Sequence, residues 1–433
     1  MSYPNGSNTF TLGPWPKGIN NVEDETRLGK DELRDAENMV ISDQGTVETR
    51  PGLVKLVDAT SAFSLFPLDF SRGVYFDAGE LWLFDVFTKE KVSLGSGFAR
   101  GVRASWVRIG PRLFFTNGKE HGRIHIPTLQ VLPGFGTVAP GLDVTVSALP
   151  YGSLAAGRYF LGFTFVDSFK EESGCPRLSF IETIAGIRIT FAGEIPAGVE
   201  KIRIYATGAN GDRKEMYRVG EVDASSSGID FISPEYGAPL RTLFLSEIPV
   251  PDLITAYNGY LFFAIGNEVF HSESQRFGLY HEDHNSVGIY AENVTVLERG
   301  QDGLWVVADR THFYLGDIPK NFELNDNVFN YPAVKFSGCQ IDGSLFGLDI
   351  GTKAVPYWFS SRGAVLGLPS GKILPVSKGR AEPDFFGVGA SGAVEFNGIT
   401  SVVTALDEYK SPNDSLQLQD SFSVRVINRG IER

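Results

Sequence analysis

A short motif recurs through the chain, a turn residue followed by an apolar and aromatic strand. It appears in Gly79-Glu80-Leu81-Trp82-Leu83-Phe84, Pro111-Arg112-Leu113-Phe114-Phe115, Gly259-Tyr260-Leu261-Phe262-Phe263, Gly303-Leu304-Trp305-Val306-Val307, Gly343-Ser344-Leu345-Phe346 and Gly392-Ala393-Val394-Glu395-Phe396. The aligned residues Leu81, Leu113, Leu261, Leu304, Leu345 and Val394 are separated by 32, 148, 43, 41 and 49 positions. A period of roughly 40–50 residues is that of a four-stranded propeller blade, a unit that buries its apolar faces only against its neighbours. The long gap is explained if residues 139–245, 107 in all, form an inserted domain, because removing them restores a spacing of 41. That stretch carries strand patterns at 158–165, 187–191 and 201–205, the last two alternating strictly in Ile187-Arg188-Ile189-Thr190-Phe191 and Lys201-Ile202-Arg203-Ile204-Tyr205. About one hundred residues with evenly spaced turns read as a small sandwich. The expected fold is therefore all-β: a β-propeller of about six blades with an inserted immunoglobulin/fibronectin-like β-sandwich. Residues 1–40 are expected to form an N-terminal arm, 41–138 and 246–433 the two parts of the propeller, and 139–245 the insert. A pair of sandwiches or a jelly roll is the competing arrangement, since any all-β chain yields some Gly-Leu-aromatic strands.

Composition agrees with many short strands. The 33 Phe and 15 Tyr favour pleated, half-buried surfaces, and 49 Gly with 23 Pro supply turns without reaching low-complexity levels. One segment reads as helix, Asp31–Met39, with Asp31 as a cap and Leu33, Ala36 and Met39 apolar. A net charge of −13 argues against gripping nucleic acid through its phosphates, which takes clustered Lys and Arg, although DNA can still slide past an acidic wall. Cys175 and Cys339 are the only cysteines and read as small buried hydrophobes rather than a disulfide framework or a metal site. No apolar run approaches the roughly 18 residues of a membrane helix, and Met1-Ser2-Tyr3-Pro4-Asn5-Gly6 lacks a leader layout, so a cytosolic origin is expected.

Catalytic and metal-binding patterns are weak. His121 and His125 have the i, i+4 spacing of a helical zinc site, but Gly122 and the surrounding residues read as strand, which sets the two rings too far apart for one ion. His281-Glu282-Asp283-His284 reads as a solvated loop, and Asn325-Asp326-Asn327 as a loop tip without the Gly and Glu of a calcium loop. A propeller glycosidase needs paired carboxylates and, in sialidases, Ser-x-Asp-x-Gly-x-x-Trp boxes; neither Ser42-Asp43-Gln44-Gly45 nor Ser391-Gly392-Ala393 fits, and Asp309, Asp342 and Asp349 merely lie in or beside strands. With no hydrolase elbow, phosphate loop or dinucleotide fingerprint either, no enzyme, metal or cofactor is expected.

Residues 17–53 contain Lys17-Gly18-Ile19-Asn20-Asn21, Leu28, Ala36-Glu37-Asn38 and then Gly45-Thr46-Val47-Glu48-Thr49-Arg50-Pro51-Gly52-Leu53. This order, with Gly18, Asn20, Asn38, Gly45, Arg50, Pro51 and Gly52 as its signature, resembles the N-terminal region of bacteriophage tail nozzle and tail hub proteins. Later segments share the resemblance: Tyr257–Phe262, Gly266–Glu273, Tyr314–Pro319, Val355–Gly363 and, in the insert, Thr164–Asp167, Ile202–Tyr205 and Tyr217–Gly220. The resemblance implies a structural virion protein of the tail, assembled in the host bacterial cytoplasm. It implies a homo-oligomeric ring, a hexamer by expectation, which touches adjoining head-to-tail proteins and surrounds DNA without binding it specifically. The second expectation is a receptor- or glycan-binding tail module, with the insert or exposed aromatics such as Tyr357 and Trp358 stacking on sugar. The Pro- and Gly-rich arm is expected to lie along a partner.

Overall fold

The computed structural model describes residues 14–36, 39–41, 45–49, 55–346, 354–377, 380, 387–396, 399–407 and 423–427. Among them the regular structure is strand and two short 3-10 turns, with no α-helix. The chain divides into two compact units, one of Ser61–Leu83 and Val92–Ile289, the other of Met1–Thr60, Phe84–Lys91 and Tyr290–Arg433.

Five four-stranded antiparallel sheets follow the chain as meanders. The first comprises Phe63–Pro67, Arg72–Asp77, Glu80–Asp85 and Lys91–Ser96; the second Ser105–Ile109, Arg112–Thr116, His121–His125 and Gln130–Pro133. The third is built from Leu253–Tyr257, Tyr260–Ile265, Glu268–His271 and Ser286–Ile289, and the fourth from Val296–Arg299, Gly303–Val307, Thr311–Asp317 and Asn321–Phe329. Cys339–Asp342, Ala354–Ser360, Gly363–Leu368 and Lys372–Pro375 make the fifth, and a three-stranded sheet of Val388–Phe396, Ile399–Asp407 and Ser423–Ile427 follows.

Within each unit, successive sheets pack face to face. In the unit that begins at Ser61, Leu113 and Phe115 of the second meander join Val74, Phe76 and Leu81 of the first, while Phe114 on the opposite face joins Ile254, Leu261 and Phe263 of the third. The other unit repeats the arrangement. Trp358 of the fifth meander packs with Trp305, Val307 and Phe313 of the fourth, and its neighbours Tyr357 and Phe359 pack with Val402 and Leu406 of the three-stranded sheet. A strand covered on both faces has no polar side to alternate with, which is why these segments read as unbroken apolar runs.

The recurring motif maps onto these sheets with three departures, the last being Gly392–Phe396, which runs inside Val388–Phe396, the first strand of the three-stranded sheet. Arg112–Thr116, Tyr260–Ile265 and Gly303–Val307 are each the second strand of their meander, but Glu80–Asp85 is the third, which accounts for the short spacing of 32. Gly343–Phe346 is not a strand. It is a 3-10 turn in which Asp342 Oδ1 accepts from the Ser344 N–H at 2.9 Å and its hydroxyl at 2.7 Å, and the covered strand of that sheet is Ala354–Ser360. A side-chain acceptor one turn upstream diverts the backbone from a ladder.

The helix expected at Asp31–Met39 is absent as well. Leu33 forms a parallel bridge with Ile19: its N–H donates to Gly18 O at 2.9 Å and its carbonyl accepts from the Asn20 N–H at 2.7 Å. Met39–Ile41 pairs with Val47–Thr49. A nine-residue stripe with three apolar positions cannot offset the cost of helix nucleation once cross-loop partners take its backbone groups.

Between the second and third meanders, residues 143–231 form two facing sheets, Asp143–Leu149 with Gly186–Ala192 and Gly228–Phe231, and Leu178–Thr183 with Gly157–Asp167, Val199–Ala206 and Tyr217–Asp223. Their shared core includes Tyr159, Leu161, Phe163, Phe165, Ile187, Ile189, Ile202, Ile204 and Phe231. Counting strands along the chain, the sheets hold the first, fourth and seventh, and the third, second, fifth and sixth. The immunoglobulin order, A-B-E-D over C-F-G, is therefore not the one adopted, although seven strands in two layers are.

Candidate functional site

Four of the seven signature residues, Asn38, Arg50, Pro51 and Gly52, lie outside the described residues; Gly18, Asn20 and Gly45 come together. Gly18 turns the chain at φ 72°, its N–H donating to Trp15 O at 3.0 Å. Asn20 is buried, and its Oδ1 accepts from the N–H groups of Val22 (3.3 Å) and Glu23 (3.2 Å), closing the next turn. Gly45, at φ 77°, accepts from the Trp15 N–H at 2.8 Å, and a Cβ there would lie 2.4 Å from Pro16 N. Only glycine permits that approach. Arg380 fastens the loop from the far end of the sequence: its carbonyl accepts from the Asn21 N–H at 2.9 Å and its Nη1 donates to Lys17 O at 3.3 Å. Lys17 and Asp31 pair at 2.8 Å across it. The described part of the expected arm is thus stitched to its own chain.

A buried charge cluster joins the second meander to the sandwich. Arg123 lies on His121–His125, and Asp167 ends the strand Gly157–Asp167. Arg123 Nη2 meets Asp167 Oδ2 at 2.9 Å, and its Nη1 donates to the carbonyls of Pro133 (3.2 Å), Gly134 (3.0 Å) and Gly136 (2.9 Å). Thr137 Oγ1 donates to the same Asp167 oxygen at 3.0 Å, while Asp167 Oδ1 accepts from the N–H groups of Phe169 and Glu171, both at 2.9 Å. Glu171 is shared between Arg112 and Arg123, and burial raises its carboxyl above the usual range against the pull of both guanidiniums. Asp167 has the full hydrogen bonding that a buried ion pair needs, whereas Glu171 Oε2 has the ion-pair approach of Arg123 Nη2 at 3.3 Å but no hydrogen bond among the described residues. Beside it the chain that leaves the second meander crosses the third: a Cβ on Gly278 would lie 2.3 Å from Gly136 Cα.

The remaining candidates separate clearly. His121 and His125 lie on a strand, as expected, against Phe135 and Phe169 respectively, with His125 Nδ1 2.8 Å from Thr128 Oγ1. His281, Glu282, Asp283 and His284 form a turn, three of them exposed. Asn325-Asp326-Asn327 is not a loop tip; it lies inside the strand Asn321–Phe329 at a bulge opposite His312. The bulge carries Asp326 Oδ1 to 2.6 Å from His312 Nδ1, and the buried His312 Nε2 has no hydrogen-bond partner among the described residues. Tyr290 and Tyr314 share a 2.6 Å hydroxyl contact beside it. No sequence signal announced this pair, because bulge register is invisible without its partner strand. Tyr357 and Trp358 are buried in the core and cannot stack on a sugar, which corrects that reading. Cys175 is buried, which pushes its thiol up to about 11, and Cys339 is partly buried, so both behave as hydrophobes. Asp349 lies outside the described residues. Among the described residues no group of three or more His, Cys, Asp or Glu is arranged to hold a metal ion, and no helix is long and apolar enough to cross a membrane.

No family model and no curated protein matches the chain. Solved structures with a similar all-β course include BBS1N in complex with ARL6DN, at 9% identity and a TM-score of 0.34 over 80% of this chain and 90% of that one. The N-terminal domain of Nup159 is 12% identical, with a TM-score of 0.27 over 79% of this chain and 72% of that one. The computationally designed Ika8 protein is 10% identical, with a TM-score of 0.28 over 81% and 95%. Overlaps this loose and sequences this distant identify no relative and assign no activity.

Proposed function

We propose that this chain is a structural component of a bacteriophage tail: a β-propeller of about six blades with an inserted sandwich. Its copies form a homo-oligomeric ring, a nozzle or hub around the DNA exit channel, for genome retention and delivery. The observation that carries the reading is the covered strand: Arg112–Thr116 and Ala354–Ser360 each bury one face against the preceding sheet and the other against the following one, as blades of a propeller do. The stitched loop around Gly18, Asn20 and Gly45 supports the family resemblance, because Gly18 and Gly45 hold left-handed turns and Asn20 closes the next turn with its side-chain oxygen. The net charge of −13 suits a wall past which a polyanion slides. The test is the copy number of this chain relative to the capsid protein in purified virions, measured by quantitative mass spectrometry. A low fixed number, six for a hexamer, is expected; absence from virions overturns the reading.

A further inference from the structure

The fourth meander holds an imidazole with no place for a second proton. His312 lies on Thr311–Asp317 with only 9% of its side chain exposed. The partner strand is irregular opposite it: Thr311 pairs with Phe329 and Phe313 with Asn325, so residues 326–328 bulge past His312 without ladder partners. Asp326 Oδ1, on a side chain 59% exposed, lies 2.6 Å from His312 Nδ1 and fixes the ring's proton on that nitrogen. Nε2 is thereby the lone-pair nitrogen, and it is buried with no hydrogen-bond partner among the described residues. Tyr290 packs on the ring with centroids 4.7 Å apart, and its hydroxyl is engaged with that of Tyr314 at 2.6 Å.

A second proton on this ring makes Nε2 a buried donor without an acceptor, which carries the full desolvation cost of that N–H. The counter-charge in contact with it, Asp326, is largely in water and acts only weakly. The other charges around the ring are Asp309 and Arg310, in the turn before Thr311–Asp317, and these pair with each other at 3.0 Å. Burial accordingly holds the imidazole below its ordinary 6.5, against the pull of Asp326 and Asp309. A ring released to solvent titrates near 6.5, so the closed arrangement keeps its full advantage above that pH and loses it as pH falls through the lower value of the buried ring. Relief is easiest at the bulge, where no ladder pairs have to break. We propose that the His312–Asp326 contact is an acid-released latch: protonation of His312 moves the ring and residues 326–328 out to solvent and frees the Asp326–Phe329 end of its strand from the fourth meander. The latch is independent of the tail assignment.

The test is amide hydrogen exchange of the full chain, read by mass spectrometry at pH 7.5 and pH 5.0 and corrected for the intrinsic exchange rates. Peptides covering residues 326–329 are expected to lose about tenfold in protection at pH 5.0, while Gly186–Ala192 of the sandwich keeps its own. Glu298, in the same meander, cannot produce this loss, because its raised carboxyl stabilises the fold toward acid. His312→Asn keeps an N–H donor toward Asp326 and does not titrate, so the acid-induced loss is expected to vanish. Asp326→Asn, at an exposed position, removes the counter-charge and is expected to enlarge the loss. Equal protection at both pH values in the unaltered chain overturns the latch, as does an undiminished acid-induced loss in His312→Asn. Should His312→Asn not fold, Asp326→Asn decides: a loss no larger than that of the unaltered chain overturns the latch, and a larger one sustains it.

Discussion

Glu298 accepts a 2.7 Å hydrogen bond from Gln340 Nε2, yet burial pushes its carboxyl up to about 7 from an ordinary 4.5, with Gln340 and Arg299 pulling only partly the other way. The folded chain therefore holds this proton more tightly than the unfolded chain. The stability it contributes is complete below about pH 4.5 and is lost as pH rises through 7. Between pH 5 and 8 the unaltered protein should lose on the order of 2 kcal/mol that Glu298→Gln does not lose, read as the difference in urea midpoints at the two pH values. Arg123 makes the opposite kind of contribution. Arg123→Ala leaves Asp167 a buried, uncompensated charge and should cost about 3–5 kcal/mol in urea unfolding, most of it recovered when Asp167→Ala is added. Neither role was legible in the sequence. Arg123 and Asp167 are 44 positions apart, and nothing local to His121-Gly122-Arg123-Ile124-His125 marks its central residue for burial. Tyr357 and Trp358 misled for the converse reason: on a strand covered on both faces neither residue has a wet side, and an aromatic pair gives no hint of which surface it meets.

At the scale of elements, turn chemistry and apolar runs carried most of the fold. Strands announced by Gly259, Gly303 and the alternating Ile187–Phe191 stand where their patterns put them, since each is decided by residues within the strand. The failures share one physical cause, a partner distant in sequence. Asp31–Leu33 gives its backbone groups to Lys17–Asn20 instead of to a helix, and Asn325–Asn327 is drawn into a ladder by Thr311 and Phe313. Gly343–Phe346 turns because Asp342 bonds Ser344. The crossing of Gly136 and Gly278 belongs to the same class. Gly278→Ala places a methyl carbon 2.3 Å from the Gly136 backbone and should destabilise the chain by roughly 2–4 kcal/mol, with a fall in melting temperature that Gly141→Ala, which meets nothing within 4 Å, does not reproduce.

For the whole molecule, the dominant physical quantity is charge. Copies that each carry −13 repel one another at long range, and that repulsion is screened within about 10 Å at 0.1 M salt. If copies associate through apolar contact, they should therefore do so more readily as sodium chloride rises from 50 to 500 mM, the reverse of an assembly built on ion pairs, and sedimentation velocity across that series distinguishes the two. One closure described by the hydrogen bonds bears on how such a chain changes over generations. The Ala139 N–H donates to Glu247 Oε1, so the two ends of the segment carrying the sandwich are fastened to each other where it departs from the meanders and rejoins them. A segment that begins and ends at one point behaves as a cassette: it can be lengthened or shortened at its outer loops, provided that Asp167 and Glu171 remain to pair with Arg123 and Arg112. Recombination between coding sequences should be tolerated at this junction more readily than anywhere inside the stacked sheets.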